Sequence, residues 1–230
     1  MRIALYTLGC KVNQYETQAM EQELTAQGHE LVAFEEPADA YIINTCSVTA
    51  VSDKKSRQMI RRAKKMNPHA IVAACGCYAQ THTDEVAALG IDLVGGTGQR
   101  MEFLRQLLAA AEEKRQRVLV DDALRRREFE VLPAGGQMSR TRAMLKVEDG
   151  CRNFCSYCII PFARGPVRSL PVAEAVRQTE QLAAEGYREV VLTGIEISSW
   201  GQDLSGVQSL VGLLEAVSEG AGDMRLRLGS

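Results

Sequence analysis

The sequence predicts an α/β protein with two parts. Residues 1–120 read as a doubly wound parallel sheet, 121–141 as a linker, and 142–230 as a second strand–helix alternation. Short β-branched, apolar runs alternate with longer helical stretches in both parts, and the alternation collapses between them. Composition agrees: 46% hydrophobic and 24% charged residues describe a chain that can bury a core, which excludes disorder, collagen and a coiled coil.

The elements follow in order. RIALYTL (2–8) is a strand, and residues 12–27 form a helix ended by Gly28. ELVAF (30–34) and DAYIINT (39–45) are strands. A charged helix over 49–66 stops at Asn67-Pro68. AIVAAC (70–75) is a strand, THTDEVAALG a short helix closed by Gly90, and IDLVGG (91–96) a strand. A helix over 98–114 and the strand RVLV (117–120) complete the first part. The stretch 121–141 holds Pro133, Gly135 and Gly136 and has no period. AMLKVED (143–149) opens the second part as a strand. Ser169 is placed to cap a helix over 171–185, closed by Gly186. REVVLT (188–193), a helix over 205–220 and MRLRLGS (224–230) follow. Ending on a strand, the chain reads as the N-terminal portion of something longer, so the isolated piece is expected to be aggregation-prone.

With 27 basic and 29 acidic side chains, the net charge of −2 argues against a non-specific nucleic-acid binder but leaves room for a local basic patch. No run of about 18 apolar residues occurs, so no membrane span is expected. The N-terminus lacks the charged region and cleavage site of a signal peptide, and a cytoplasmic location follows.

Seven cysteines stand out: Cys10, Cys46, Cys75, Cys77, Cys151, Cys155 and Cys158. An odd count in a cytoplasmic chain favours metal or redox chemistry over disulfides. Cys10, Cys46 and Cys77 each follow a predicted strand, and ligands bind beyond the carboxyl ends of such strands. Distant in sequence, these three would meet at one end of the sheet. The competing reading makes each a small buried hydrophobe, at even odds. Spacing alone does not separate Cys75 from Cys77. Cys151, Cys155 and Cys158 form a local C-x3-C-x2-C cluster in DGCRNFCSYCIIPFARGPVRS. Three thiolates without histidine favour an iron–sulfur cube with one open iron over a zinc site, which wants four ligands.

The C-x3-C-x2-C loop after a strand resembles the radical S-adenosylmethionine enzymes. Together with TLGCKVNQYE (7–16), INTCSVT (43–49) and CGCYAQ (75–80), it resembles their methylthiotransferase family. GCKVNQYE is most similar to the branch that acts on N6-threonylcarbamoyladenosine in tRNA. The resemblance implies that the second part begins a radical-SAM partial (βα) barrel. It implies two [4Fe–4S] clusters, at Cys10, Cys46 and Cys77 and at Cys151, Cys155 and Cys158, leaving Cys75 over. It implies S-adenosylmethionine beside Tyr157, with its methionine amino group held by TGIEI (193–197), at Gly194 and Glu196. The implied reaction adds a methylthio group at adenine C2 of that nucleoside, next to the anticodon. The implied partners are the tRNA anticodon loop and an electron donor such as a flavodoxin or ferredoxin. Alternatives are action on isopentenyladenosine or a ribosomal protein, and a non-enzymatic, metal-dependent RNA-binding protein.

The family usually has Gln where this chain has Glu148, and typical members continue through a full barrel to an RNA-binding β domain. The basic helix from Lys54 to Lys65 is a candidate phosphate-tracking face, balanced against plain solvation. Arg125 to Arg127 are read as RNA contact or plain solvation, with solvation favoured. Arg164 and Arg168 are expected to meet a charged substrate. Asn13 and Asn44 are expected to hydrogen-bond backbone near the first cysteine trio, and Trp200 to pack. GGTGQR (95–100) lacks a full dinucleotide fingerprint and is set aside.

Overall fold

The computed structural model describes residues 1–113, 115–135 and 141–229. The first unit is one six-stranded, wholly parallel sheet in the order β2-β1-β3-β4-β5-β6. Its elements run β1 (Arg2–Thr7), α1 (Lys11–Ala26), β2 (Glu30–Val32), β3 (Ala40–Thr45), α2 (Ala50–Met66), β4 (Ile71–Gly76), α3 (Cys77–Thr81), α4 (Thr83–Ala87), β5 (Leu93–Gly95), α5 (Arg100–Glu113) and β6 (Arg117–Leu119). Central β3 is buried at all six positions because helices cover both faces. Ala40 and Ile42 pack with Met20 and Leu24 of α1 and Phe103 and Leu107 of α5. Tyr41 and Ile43 pack on the other side with Met59, Ile60 and Ala63 of α2. Each fully buried isoleucine contributes about 1.5–3 kcal/mol. The strand order reverses between β1 and β3, which opens a crevice at their carboxyl ends.

The second unit has three parallel strands in the order β11-β10-β7. It runs β7 (Arg142–Lys146), β8 (Glu148–Asp149), α6 (Ile160–Arg164), β9 (Arg168–Ser169), α7 (Val172–Ala184), β10 (Glu189–Thr193), α8 (Leu210–Ala221) and β11 (Arg225–Gly229). Leu145, Val190 and Leu192 pack beneath Leu182 of α7 and Leu213 and Val217 of α8. The opposite face, with Met144, Val191 and Arg227, lines a cavity of about 490 Å³ together with Lys11, Gln14 and Gln18 of α1.

Several boundaries depart from expectation. The strand expected over 143–149 breaks at Val147, and β8 turns to pair antiparallel with β9. That small ladder closes the loop carrying the second cysteine cluster. Ser169 does not cap α7, whose N-cap position is Pro171. Its hydroxyl instead donates to Asp203 Oδ1 at 2.6 Å and accepts from the Gly201 N–H at 2.8 Å. The helix expected from 205 begins at Leu210, where Ser209 accepts from the Gly212 N–H. Gly206, at φ +81°, breaks any earlier start. The one-turn helices α3 and α6 are too short for their period to be read.

The stretch after β6 runs along both units. Asp122 caps a short 3₁₀ turn over Ala123–Arg125. Arg126 joins Asp121, Gln80 and Thr97, so it is structural and not merely solvated. Residues 136–140 of the expected linker lie outside the described residues. Further along, the Leu132 carbonyl accepts from the buried Tyr15 hydroxyl of α1 at 2.6 Å. Replacing Tyr15 with Phe strands that buried carbonyl. Urea unfolding should show a loss of about 1–2 kcal/mol; no loss would mean the bond does not hold the segment.

Candidate functional site

The three strands that deliver the first cysteines are adjacent in the sheet. Cys10 occupies the N-cap position of α1 just past β1, Cys46 directly follows β3, and Cys77 opens α3 after β4. Register pairs Thr7 with Asn44 and Thr45 with Gly76, so the three chain ends leave the sheet side by side. A side chain on Gly9 would stand 3.1 Å from Cys46 Sγ, which brings the Cys10 turn against Cys46. Gly76 has φ +94°, and a β-carbon there would come within 2.5 Å of the Thr45 carbonyl oxygen. Only glycine turns β4 sharply enough to present Cys77.

Amides hold this end of the sheet, as expected. Asn13 Nδ2 donates to the Leu8 and Thr45 carbonyls at 2.8 and 2.9 Å, and Asn44 Nδ2 to the Asn13 carbonyl at 3.0 Å. The Cys10 thiol faces Asn13 Oδ1 at 3.9 Å. Burial pushes the Cys77 thiol up to about 11, against the pull of the Arg164 guanidinium, while the charge of Cys10 adds to the rise. Cys75 lies fully buried inside β4, raised to about 11 by burial, consistent with the residue left over.

The second trio stands on the loop between β8 and α6. Cys151 donates its N–H to the Gly165 carbonyl at 3.0 Å, and Cys158 to the Cys155 carbonyl at 2.9 Å. Cys155 is exposed, with Cys151 and Cys158 part-exposed. Gly150, at φ +94°, passes so close to Pro166 that a β-carbon would sit 2.1 Å from its carbonyl oxygen. Tyr157, in the turn before Cys158, is 90% exposed. Phe154 and Phe162, both exposed, meet edge to face at 5.9 Å.

Among the described residues, no three His, Cys, Asp or Glu side chains are gathered tightly enough for a single metal ion. Thiolates on separate irons of one cube stand farther apart than ligands of one ion. Three cysteines at three adjacent strand ends, with no histidine among them, fit that wider demand. The local trio fits it through a loop whose glycines fix its entry and exit.

Gly194 and Glu196 follow β10. A β-carbon on Gly194 would stand 2.6 Å from Glu148 Oε2, so glycine admits that carboxyl. Glu148 Oε2 accepts from the Glu196 N–H at 2.7 Å, while Oε1 has no hydrogen-bond partner. Burial pushes the Glu148 carboxyl up to about 8, opposed by the Glu196 N–H and aided by Asp149. At neutral pH it is a neutral carboxylic acid, close in character to the Gln expected there.

An unforeseen feature joins the units: a buried ion network centred on Glu16. Glu16 accepts from Arg100 Nη2 at 2.6 Å, from Lys146 Nζ at 3.4 Å, and from Arg164. Burial opposes its ionisation, but Arg100, Arg164 and Lys146 hold its carboxyl well below the usual range. Asp149 meets Lys146 at 3.2 Å and Arg168 at 3.3 Å. The expectation that Arg164 and Arg168 meet a substrate is corrected. Arg164 is 0% and Arg168 3% exposed; the Arg164 guanidinium is spent on Glu16, Asp149 and Asn13 Oδ1, and that of Arg168 on Asp149 and the Arg164 and Pro166 carbonyls.

The basic helix divides. Arg57 donates to the Tyr78 hydroxyl, Lys64 to the Leu89 and Gly90 carbonyls, and Arg62 to Glu35. Lys54, Arg61 and Lys65 line an open groove on α2 with Gln58 and Arg62. Trp200 is buried and donates to the Leu170 carbonyl at 3.1 Å, a packing role as expected.

Residues 2–96 match the uncharacterized protein family UPF0004, and residues 145–219 match the radical SAM superfamily. The chain is 43% identical to the threonylcarbamoyladenosine tRNA methylthiotransferase MtaB of Bacillus subtilis, over 99% of this chain and 51% of that protein. It is 43% identical to MtaB of Aquifex aeolicus over 88% of this chain and 50% of that one. A tRNA-2-methylthio-N(6)-dimethylallyladenosine synthase of Clostridium perfringens is 32% identical, over 96% and 51%. The chain thus spans about half the length of the curated relatives it matches. Among solved structures, the radical S-adenosylmethionine methyltransferase TsrM of Kitasatospora setae superposes with a TM-score of 0.60 at 19% identity, over 98% of this chain and 54% of that one. At that identity the likeness is one of fold. No described helix is long and apolar enough to cross a membrane.

Glu148 gives a pH test. The unfolded carboxyl ionises near 4.5 and the folded one near 8, so between these values the native state keeps a proton the unfolded chain releases. Its contribution to stability therefore falls as pH rises through that window. Urea unfolding of Glu148→Gln should match the parent at pH 4 and exceed it by about 4 kcal/mol at pH 8. An equal difference at both pH values would contradict the assignment.

Proposed function

We propose that this chain belongs to the radical S-adenosylmethionine methylthiotransferase family and takes part in 2-methylthiolation of N6-threonylcarbamoyladenosine beside the tRNA anticodon. The observation that carries the reading is the pair of thiol trios, one at three adjacent strand ends and one on a local loop, in the two regions the family descriptions cover. The 43% identity to two threonylcarbamoyladenosine enzymes, against 32% to the dimethylallyladenosine synthase, favours the first substrate.

In this reading residues 1–120 form the methylthiotransferase domain, 121–141 the linker and 142–230 the first part of the radical-SAM barrel. Cys10, Cys46 and Cys77 ligate one [4Fe–4S] cluster, and Cys151, Cys155 and Cys158 the other. With S-adenosylmethionine bound, the second cluster supplies radical chemistry able to attack an unactivated adenine C–H, which no side chain can deprotonate at neutral pH. The chain's own residues position the partners. Tyr157 would stand beside the adenine end of S-adenosylmethionine. Gly194 and the backbone at Glu196, whose N–H is held by Glu148, would receive its methionine end. The cavity between α1 and β7, β10 and β11 offers room for a nucleobase beside Lys11, the residue after Cys10. The groove of Lys54, Arg61 and Lys65 suits tRNA phosphates. The reductant is a small cytoplasmic electron carrier of the flavodoxin or ferredoxin kind, and the protein works in the cytoplasm.

Deleting the gene that encodes this chain tests the reading. Mass spectrometry of digested tRNA should show loss of 2-methylthio-N6-threonylcarbamoyladenosine and accumulation of its unthiolated precursor. Restoring the gene should return the signal, and restoring it with Cys155→Ala should not. An undiminished signal in the deletion strain would refute the function, and loss of the isopentenyl derivative alone would reassign the substrate.

A further inference from the structure

The ion network around Glu16 contains more positive than negative charge. Arg100, Lys146, Arg164 and Arg168 are all buried, facing the buried carboxylates Glu16 and Asp149, with the part-buried Glu130 a third beside Arg100. Burying surplus cations is costly unless further negative charge lies close by. Arg164 shows where that charge would stand. It comes from α6, on the loop of the second trio, yet its guanidinium reaches back across the seam to the first. Nη2 donates to Asn13 Oδ1, the same oxygen that faces the Cys10 thiol. Burial opposes the charge on the guanidinium, while Glu16, then Cys77, Asp149 and Cys10, favour it. Arg164 Nε is fully buried and has no hydrogen-bond partner, as is Arg100 Nε. The residue after it completes the arrangement, because the Gly165 carbonyl accepts the Cys151 N–H at 3.0 Å.

We propose that Arg164 is a positioning residue for the first thiolate trio: clamped by Glu16, Asn13 and Asp149, its guanidinium holds a fixed positive charge against Cys77 and Cys10 and links them, through Gly165, to the backbone of Cys151. This rests on the reading that Cys10, Cys46 and Cys77 hold an iron–sulfur cluster. The physical role is twofold. A cluster bound by three thiolates carries net negative charge, and a buried cation beside it favours the reduced, more negative state. The same side chain fixes the relation between the two trios, which must act on one substrate base. Glu16 opposes Arg164 electrostatically, since its negative charge disfavours added electrons nearby.

The two residues therefore make opposite predictions, which a purely structural role would not. The chain is prepared anaerobically with Cys151, Cys155 and Cys158 replaced by Ala, so that only the first cluster forms, and its midpoint potential is measured by spectroelectrochemistry. Arg164→Gln should shift the potential to more negative values, Glu16→Gln to more positive ones, and Arg164→Lys should stay near the parent. In the reciprocal background, with Cys10, Cys46 and Cys77 replaced by Ala, the second cluster should shift less in each case. Glu16 keeps Arg100 and Lys146 as partners when Arg164 is changed, so Arg164→Gln leaves no lone buried carboxylate. Should that variant still fail to fold, the Glu16→Gln shift decides alone. Unchanged potentials, shifts of one sign for Arg164→Gln and Glu16→Gln, or equal shifts at both clusters overturn the proposal. If the parent background binds no iron, the cluster reading beneath it fails instead.

Discussion

A carboxylate buried at the seam between two sheets governs how this molecule holds together. Glu16 lies on α1, the helix that follows the first strand, and its partners come from α5, from β7 and from the loop of the second cysteine trio. A buried charge without partners is untenable, and Arg100, Lys146 and Arg164 supply them for Glu16. Removing one partner of such a buried pair typically costs about 3–5 kcal/mol. The constraint is directional as well as energetic, because three cations from three elements leave one arrangement of the units that satisfies them. Hydrophobic contact alone would not fix it, since apolar surfaces slide at little cost.

With the seam fixed, the two cysteine sets acquire a definite relation. They are built differently. The first is assembled by topology: β1, β3 and β4 are neighbours in a parallel sheet, and parallel strands place the residues that follow them at one edge. Its thiols are mostly buried. The second is assembled locally by a loop pinched between β8 and β9, and its thiols face outward. Glycine is required at both. Gly76 turns the chain into Cys77, and Gly150 lets the loop leave β8 beneath Pro166.

Much of this could be read from the residues. The β-branched runs at 39–45 and 70–75 announce central strands because helices bury both faces of them. The rule that parallel strands present ligands at their carboxyl ends then brings Cys10, Cys46 and the Cys75–Cys77 pair to one edge, and the family resemblance picks Cys77. The ion network was not readable. Glu16 and Arg164 are 148 positions apart, and no periodicity connects them. Sequence does not distinguish an arginine spent inside the protein from one offered to a substrate, so Arg164 and Arg168 were assigned outward. Ser169 before a helix looks like a cap, but Asp203, distant in sequence, claims its hydroxyl first. The neutral state of Glu148 follows from its burial, which only the fold reveals. In each case a long-range partner overrode a sound local signal.

The central claim is that two separate thiolate trios in this chain each hold an iron–sulfur cube. Iron analysis with Mössbauer spectroscopy on anaerobically reconstituted protein tests it most directly, comparing the parent chain with variants in which one trio or the other is replaced by alanine. The account predicts about eight irons in the parent and about four in each variant, all in cubane form. Four irons in the parent, lost entirely when one trio is removed and untouched when the other is, would contradict it.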